Sequence, residues 1–210
     1  MRLPSTTLIL ILLVGFASDA VAQASDATDY VRLDEAEEIR FARSAAPDVV
    51  SADATIWVLR DGEYTVAFRG TNGTQCIVGR SQPKSLEPIC YDEEAAATIL
   101  PWEFKFIELR RRGVNKEDQE RILAELVGSG ALPMPDRMAV AYMMSSAQRL
   151  YDPESGRFAG NWKPHVMIYS PYLTRTDVGF NNNLPTFQVT RPGTPMAYMI
   201  VVVPDFVDPK

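Results

Sequence analysis

Cys76, Cys90 and His165 are the whole of this chain's thiol and imidazole content. Two cysteines so close in sequence form one disulfide in an oxidising compartment. Such a bridge closes a loop of about 15 residues and stabilises by roughly 3 kcal/mol on the chain-entropy account. The other chemistry open to them is nucleophilic. Cys90 precedes an expected helix, whose N-terminus lowers a thiol pKa, and His165 supplies a base. The two uses exclude each other, because a bonded Cys90 has no thiolate. One histidine cannot build a zinc site without further soft or imidazole ligands, so no metal is expected. No phosphate-cradling glycine loop or dinucleotide fingerprint is present, and no cofactor is expected.

Two short strings carry resemblances. Val66-Ala67-Phe68-Arg69-Gly70-Thr71 resembles a segment of the class 3 lipases, α/β-hydrolases with a catalytic Ser, Asp and His. The Gly-x-Ser-x-Gly elbow those enzymes need is absent from the chain. His165-Val166-Met167-Ile168-Tyr169 is similar to the His-Val-Gly-Ile-Tyr strand of NlpC-type cell-wall cysteine peptidases. That resemblance implies a wall hydrolase with Cys90 as nucleophile and His165 as its base. The chain departs from it at Met167, where the family has glycine, and at Ile89-Cys90-Tyr91, where the family has Asp-Cys-Ser or a close variant.

On a strand from His165, the side chains of His165, Met167 and Tyr169 share one face, with Val166 and Ile168 on the other. His165 and Tyr169 are therefore the candidate ligand face. The same alternation also fits a face buried under a helix, its hydroxyls bonded internally. Two functions follow from these residues. The leading expectation is an exported soluble domain that binds a ligand or partner without catalysis. The alternative is a cell-wall cysteine hydrolase using Cys90 and His165.

The elements that position these residues begin with a segment the cell removes. Arg2, the apolar run Leu8–Phe16 and Ala20-Val21-Ala22 follow the order of a secretory signal peptide, with cleavage between Ala22 and Gln23. The run is too short to span a bilayer. The protein is expected in the periplasm or medium, with no stable membrane insertion. Residues 23–33 read as a flexible N-terminus and 34–210 as one globular domain. Hydrophobic residues make up 46% of the chain and the net charge is −6, so it is globular and ill-suited to nucleic acid. Its partner cannot be read from the sequence.

Asp34 and Glu37 resemble a capping box, and Glu35, Glu37 and Glu38 suit a helix N-terminus better than a calcium loop. Asp61-Gly62 and Asn72-Gly73 predict a meander in which Ala54–Leu59, Tyr64–Arg69 and Gln75–Gly79 pair in sequence order. Pro83 and Pro88 argue against a central strand between the cysteines. Asp92–Leu100, a helix opened by Pro101 and a third capped by Asn115 form a helical middle. Arg110–Arg112 end the second of these before Gly113, suiting the helix dipole; an anion site is the other reading. Met138–Met144 and Met196–Val203 are apolar on both faces. This predicts central strands with Val140, Tyr142 and Met199–Val202 among the most buried residues. His165–Ser170 and Thr186–Thr190 are further strands, and Thr174–Pro185 is a long loop. The fold class is α+β: antiparallel strands from both ends of the chain, with a helical layer from its middle. Mass spectrometry of the exported protein should find a chain beginning at Gln23; an intact Met1 terminus would refute the signal.

Overall fold

Three helices begin on a side-chain cap. Asp34 accepts the Glu37 N–H at 2.8 Å, Asp92 that of Ala95 at 2.7 Å and Asn115 that of Asp118 at 3.0 Å. Each cap satisfies a donor that the helix leaves free. The computed structural model describes residues 30–82, 84–152, 154–179 and 187–210. The cleavage site at Ala22 and Gln23, Pro83, and residues 180–186 of the long loop lie outside them. The helices are α1 (Glu35–Arg43), α2 (Asp48–Ser51), α3 (Glu93–Thr98), α4 (Leu100–Arg111) and α5 (Lys116–Gly128). The strands are β1 (Thr55–Arg60), β2 (Glu63–Phe68), β3 (Gln75–Gly79), β4 (Glu87–Tyr91), β5 (Ala139–Met143), β6 (Leu150–Tyr151), β7 (Phe158–Gly160), β8 (His165–Tyr169), β9 (Phe187–Thr190) and β10 (Tyr198–Val202).

The fold is α+β. Eight strands form one sheet in the order β2-β1-β3-β4-β5-β8-β10-β9, and β6 and β7 form a small second sheet. Every pairing in the large sheet is antiparallel except that of β1 with β3. This corrects the expected meander. β1 and β2 form the hairpin, but β3 lies on the far side of β1 and runs parallel to it. The connection after β2 crosses the start of β1 instead of turning back. The Thr71 N–H bonds Asp53 O at 2.9 Å and the Gly70 N–H bonds Thr55 Oγ1 at 3.0 Å. A Cβ on Gly70 would lie 2.1 Å from Asp53 O, so only glycine lets the chain pass so close. Asn72-Gly73 thus belongs to a crossover. The Asn72 amide donates to Val50 O at 2.8 Å and its carbonyl accepts from Thr74 N.

Pro88 sits in β4, between β3 and β5. The expectation that it excludes a central strand fails for a geometric reason. Cys76 and Cys90 face each other with Cα atoms 4.0 Å apart, the narrow spacing of a pair without ladder hydrogen bonds. Val78 and Pro88, two residues further on, are the same kind of pair, so the proline nitrogen points away from β3. On its other side β5 has already turned aside, and the Met144 N–H donates to Ala45 O at 2.9 Å. No ladder bond is lost.

The two faces of the sheet are covered unequally. Ile77, Tyr91, Ala141, Met167 and Tyr169 meet α3 and α4 in one cluster. On the opposite face Ile56, Val78 and the two cysteines meet Ala42, Ala45 and Ala46 at α1. No described helix covers the rest of that second face. Val140, Tyr142 and Met199–Val202 are consequently half-buried, whereas Ala139, Ala141 and Met143 are buried. The central placement of β5 and β10 in the sheet agrees with the sequence; the deep burial does not. No helix of the described residues is long and apolar enough to cross a membrane.

Two links fasten the fold, one within the sheet and one between helix and sheet. Cys76 and Cys90 are joined, S–S 2.00 Å, and wholly buried. Glu38 on α1 is shut away from water. It accepts from Arg80 Nη2 at 3.2 Å, Leu59 N at 3.1 Å and Arg60 Nη1 at 2.9 Å. Titration of denatured, unreduced protein should find no free thiol. The Cys76→Ala/Cys90→Ala double variant should lose about 3 kcal/mol in denaturant unfolding. Two titratable thiols would refute the bridge.

Candidate active-site cleft

Trp102, Phe106 and Arg110 recur every fourth residue on α4 and so lie on one face of it. The Trp102 and Phe106 rings lie nearly parallel, centroids 5.5 Å apart, and Arg110 Cζ is 5.1 Å from the Phe106 centroid. Arg191, from the β9–β10 turn, places its Cζ 5.3 Å from the Trp102 centroid. The result is a ladder of cation, ring, ring and cation. It lines a cleft whose opposite wall is α5, through Gln119 and Leu123, and whose floor includes Ile89 and Tyr198. A cavity of about 540 Å³ shares Trp102, Glu120, Leu123 and Arg191 with a neighbouring one of about 640 Å³ that Tyr172 also lines. Both are in the size range of small-ligand sites.

Among the described residues three non-glycine positions have left-handed backbones: Asp61, Tyr172 and Arg191. Asp61 serves the β1–β2 hairpin turn. Tyr172 (φ 63) and Arg191 (φ 51) both line the cleft. Their loops are tied together: the Tyr172 N–H donates to Thr194 O and the Gly193 N–H to Leu173 O, each at 2.8 Å. Such conformations cost on the order of 1–3 kcal/mol for a large side chain and persist where the surrounding structure enforces them.

Two carboxyls share the first lobe. Glu103, next to Trp102, is pushed up to about 7, first by loss of water around it and then by the Glu87 carboxylate; Arg191 and the Tyr91 hydroxyl oppose the shift. Burial also raises Glu87, against hydrogen bonds from the Ser81 amide at 3.0 Å and the Ser81 hydroxyl. Tyr91 lies beneath Glu103. Its hydroxyl is wholly buried and has no partner at full hydrogen-bonding distance.

The residues singled out in the sequence lie elsewhere. His165 is buried, with Nδ1 2.7 Å from Lys163 O, and burial lowers its pKa. Met167 and Tyr169 are buried with it, and the Tyr169 ring packs on Tyr198, 5.1 Å between centroids. This face therefore lies in the core, and Tyr198 rather than Tyr169 lines the cleft. Cys90 aligns with Tyr142 and Tyr142 with Val166, whereas His165 aligns with Met143. Cys90 and His165 thus point from opposite faces of the sheet, and the Cys90 sulfur is in the disulfide. No cysteine–histidine pair exists for hydrolysis. Arg110–Arg112 diverge: Arg110 bonds the Arg80 and Ser81 carbonyls, Arg111 pairs with Glu63 at 2.8 Å and Arg112 with Glu108 at 3.4 Å. The acidic start of α1 engages Arg60 and Arg80.

Sequence reasoning missed Glu87, Glu103, Tyr172 and Arg191. One signal was legible, an acid inside the apolar run Leu100–Ile107. Comparison with known protein families, with curated proteins and with solved structures finds no match to this chain.

The raised Glu103 has a consequence for stability. Its folded pKa of about 7 exceeds the model-compound value of 4.5. Stability is thus unaffected at low pH and falls as pH rises from about 4.5 to 7, where the unfolded chain alone has released the proton. Glu103→Gln should therefore raise the melting temperature at pH 8 by several degrees, roughly 3 °C for each kcal/mol recovered, and leave it unchanged at pH 4. Equal melting temperatures of variant and parent at both pH values would remove the shift.

Proposed function

We propose that this is an exported, non-catalytic binding protein that holds a small organic ligand in the cleft between α4, α5 and the β9–β10 turn. One observation carries the reading: the two strained non-glycine residues outside the hairpin turn, Tyr172 and Arg191, both line this cleft. Backbone strain concentrates at ligand sites because the fold holds those side chains where a ligand needs them. The walls add what such a site requires, apolar surface from Trp102, Phe106 and Leu123 with a few convergent polar groups. The N-terminal pattern of charge, apolar run and small residues supports export, as does the disulfide.

Ala124 is exposed on α5 at the edge of the second lobe, so a larger side chain there fills the mouth without disturbing the core. A thermal-shift screen of small organic solutes against the mature chain should yield hits that raise the melting temperature. Ala124→Trp should weaken them at least tenfold while its own unliganded melting temperature stays near that of the parent. Hits unaffected by Ala124→Trp, or a screen with none, would overturn the assignment.

A further inference from the structure

The polar groups of the cleft are of both signs, and several are unspent. Among the described residues no cation touches Glu103; Arg191 acts on it only at longer range. Glu87 adds a second carboxylate to the same lobe; its hydrogen bonds come from Ser81, and the Arg80 and Arg110 charges act on it at longer range. Beside them the Tyr91 hydroxyl is wholly buried and has no partner at full hydrogen-bonding distance. Glu103 and Glu87 are half-buried and open to the cleft, where a ligand can reach them. A donor carrying positive charge would give Glu103 the direct cationic partner that no described residue provides.

At the junction of the lobes the sign reverses. Arg191 stands at both cavities, with Arg110 and Lys116 along the first. A purely anionic ligand would bring its charge against Glu87 and Glu103. A purely cationic one would face Arg191 and Lys116. A ligand with both charges satisfies both ends, and an apolar body suits the Trp102 and Leu123 surface between them.

Resting on the reading of the cleft as a ligand site, we propose that its ligand is a zwitterion of the short-peptide class, its ammonium set against Glu103 and Glu87 and its carboxylate against Arg191. Binding then requires Glu103 in its charged form, and the proton it holds is released to solvent. The groups facing Glu103 are Glu87 and Tyr91 on β4, Tyr64 on β2, Tyr169 on β8, Tyr198 on β10 and Arg191 after β9. Arg80 after β3 and Arg110 on α4 act on Glu87, and Lys116 and Glu120 on α5 stand at the same cleft. Burial raises the four tyrosines above 10, and arginine does not titrate. Below pH 7 the pH dependence therefore comes chiefly from the carboxyl pair.

The test is calorimetric titration of the mature protein with the dipeptide Ala-Phe, its N-acetyl derivative and its C-terminal amide. The free dipeptide is expected to bind, and either derivative at least tenfold more weakly. Its affinity should rise roughly tenfold from pH 5.5 to 7, following the ionisation of Glu103, while the peptide ammonium stays largely charged. Glu103→Gln should flatten that rise and abolish the penalty for N-acetylation. Equal binding of all three peptides with no pH dependence would overturn the zwitterion proposal and leave the cleft as a neutral-ligand site. Binding of none would also overturn it, and the solute screen with Ala124→Trp would then decide separately whether the cleft binds anything.

Discussion

A carboxylate and a guanidinium, both closed off from water, hold the layers of this molecule in register. Glu38 and Arg80 have side chains only 1% exposed and meet at 3.2 Å. Taking two such charges out of water costs several kcal/mol each, recovered only when every lone pair and N–H is used. Here Glu38 accepts three hydrogen bonds, from Arg80, Leu59 N and Arg60, and every Arg80 nitrogen donates, to Glu38, Val78 O or the Val31 carbonyl. The pair fixes α1 against β1 and the end of β3 at once. The Arg80 carbonyl in turn accepts from Arg110, the last rung of the α4 ladder. One buried ion pair thereby connects the helix on one face of the sheet to the cleft on the other.

The asymmetry of the sheet follows from where its helices are spent. α1 covers the face that carries the disulfide, and only over β1, β3 and β4. α3 and α4 close the middle of the opposite face. α5 packs on α4 and not on the strands beyond, so Tyr198 and Met196 at the β10 end meet open space. A cleft arises there because the helical layer stops short of the sheet it covers. Pro88 and the disulfide contribute at the centre. Both occupy narrow pairs of the β3–β4 ladder, where a covalent bridge fits and a missing N–H costs nothing.

Much of this was legible in the residues, and what was not has physical causes. The α+β class, the β1–β2 hairpin, the three middle helices with Asn115 as a cap and the Cys76–Cys90 bridge all rest on local signals, and local signals survive folding. The place of β3 did not, because Asn72-Gly73 turns the chain equally well in a hairpin or in a crossover, and Gly70 against Asp53 decided it. Burial of Val140 and Val201 failed because apolar alternation reports what a strand tolerates, not what lands on it. His165 and Tyr169 were chosen on alternation and a five-residue resemblance, and the elements that bury their face are not visible from that strand. Tyr172 and Arg191 carry no sequence mark, since a left-handed backbone at a non-glycine residue is imposed by the surrounding loops.

Four buried side-chain polar atoms of the described residues lack a partner, and two of them, Arg43 Nε and Gln148 Oε1, belong to residues that do not line the cleft. The residues on which a hydrolase would rest are locally content: Cys90 in its disulfide, and His165 against Lys163 O. Several costly features gather at or beside the cleft: a carboxyl held near neutral pH, a buried hydroxyl without a full hydrogen bond and two strained backbones. Each lowers stability where a silent substitution, glutamine for Glu103 or glycine for Arg191, would relieve it. Natural sequences depart from local rules mainly where function demands it. Four departures around one cavity, in a molecule whose turns and caps otherwise follow those rules, support binding at the cleft. They also favour a ligand that restores what the fold leaves incomplete, positive charge at Glu103 and negative charge at Arg191.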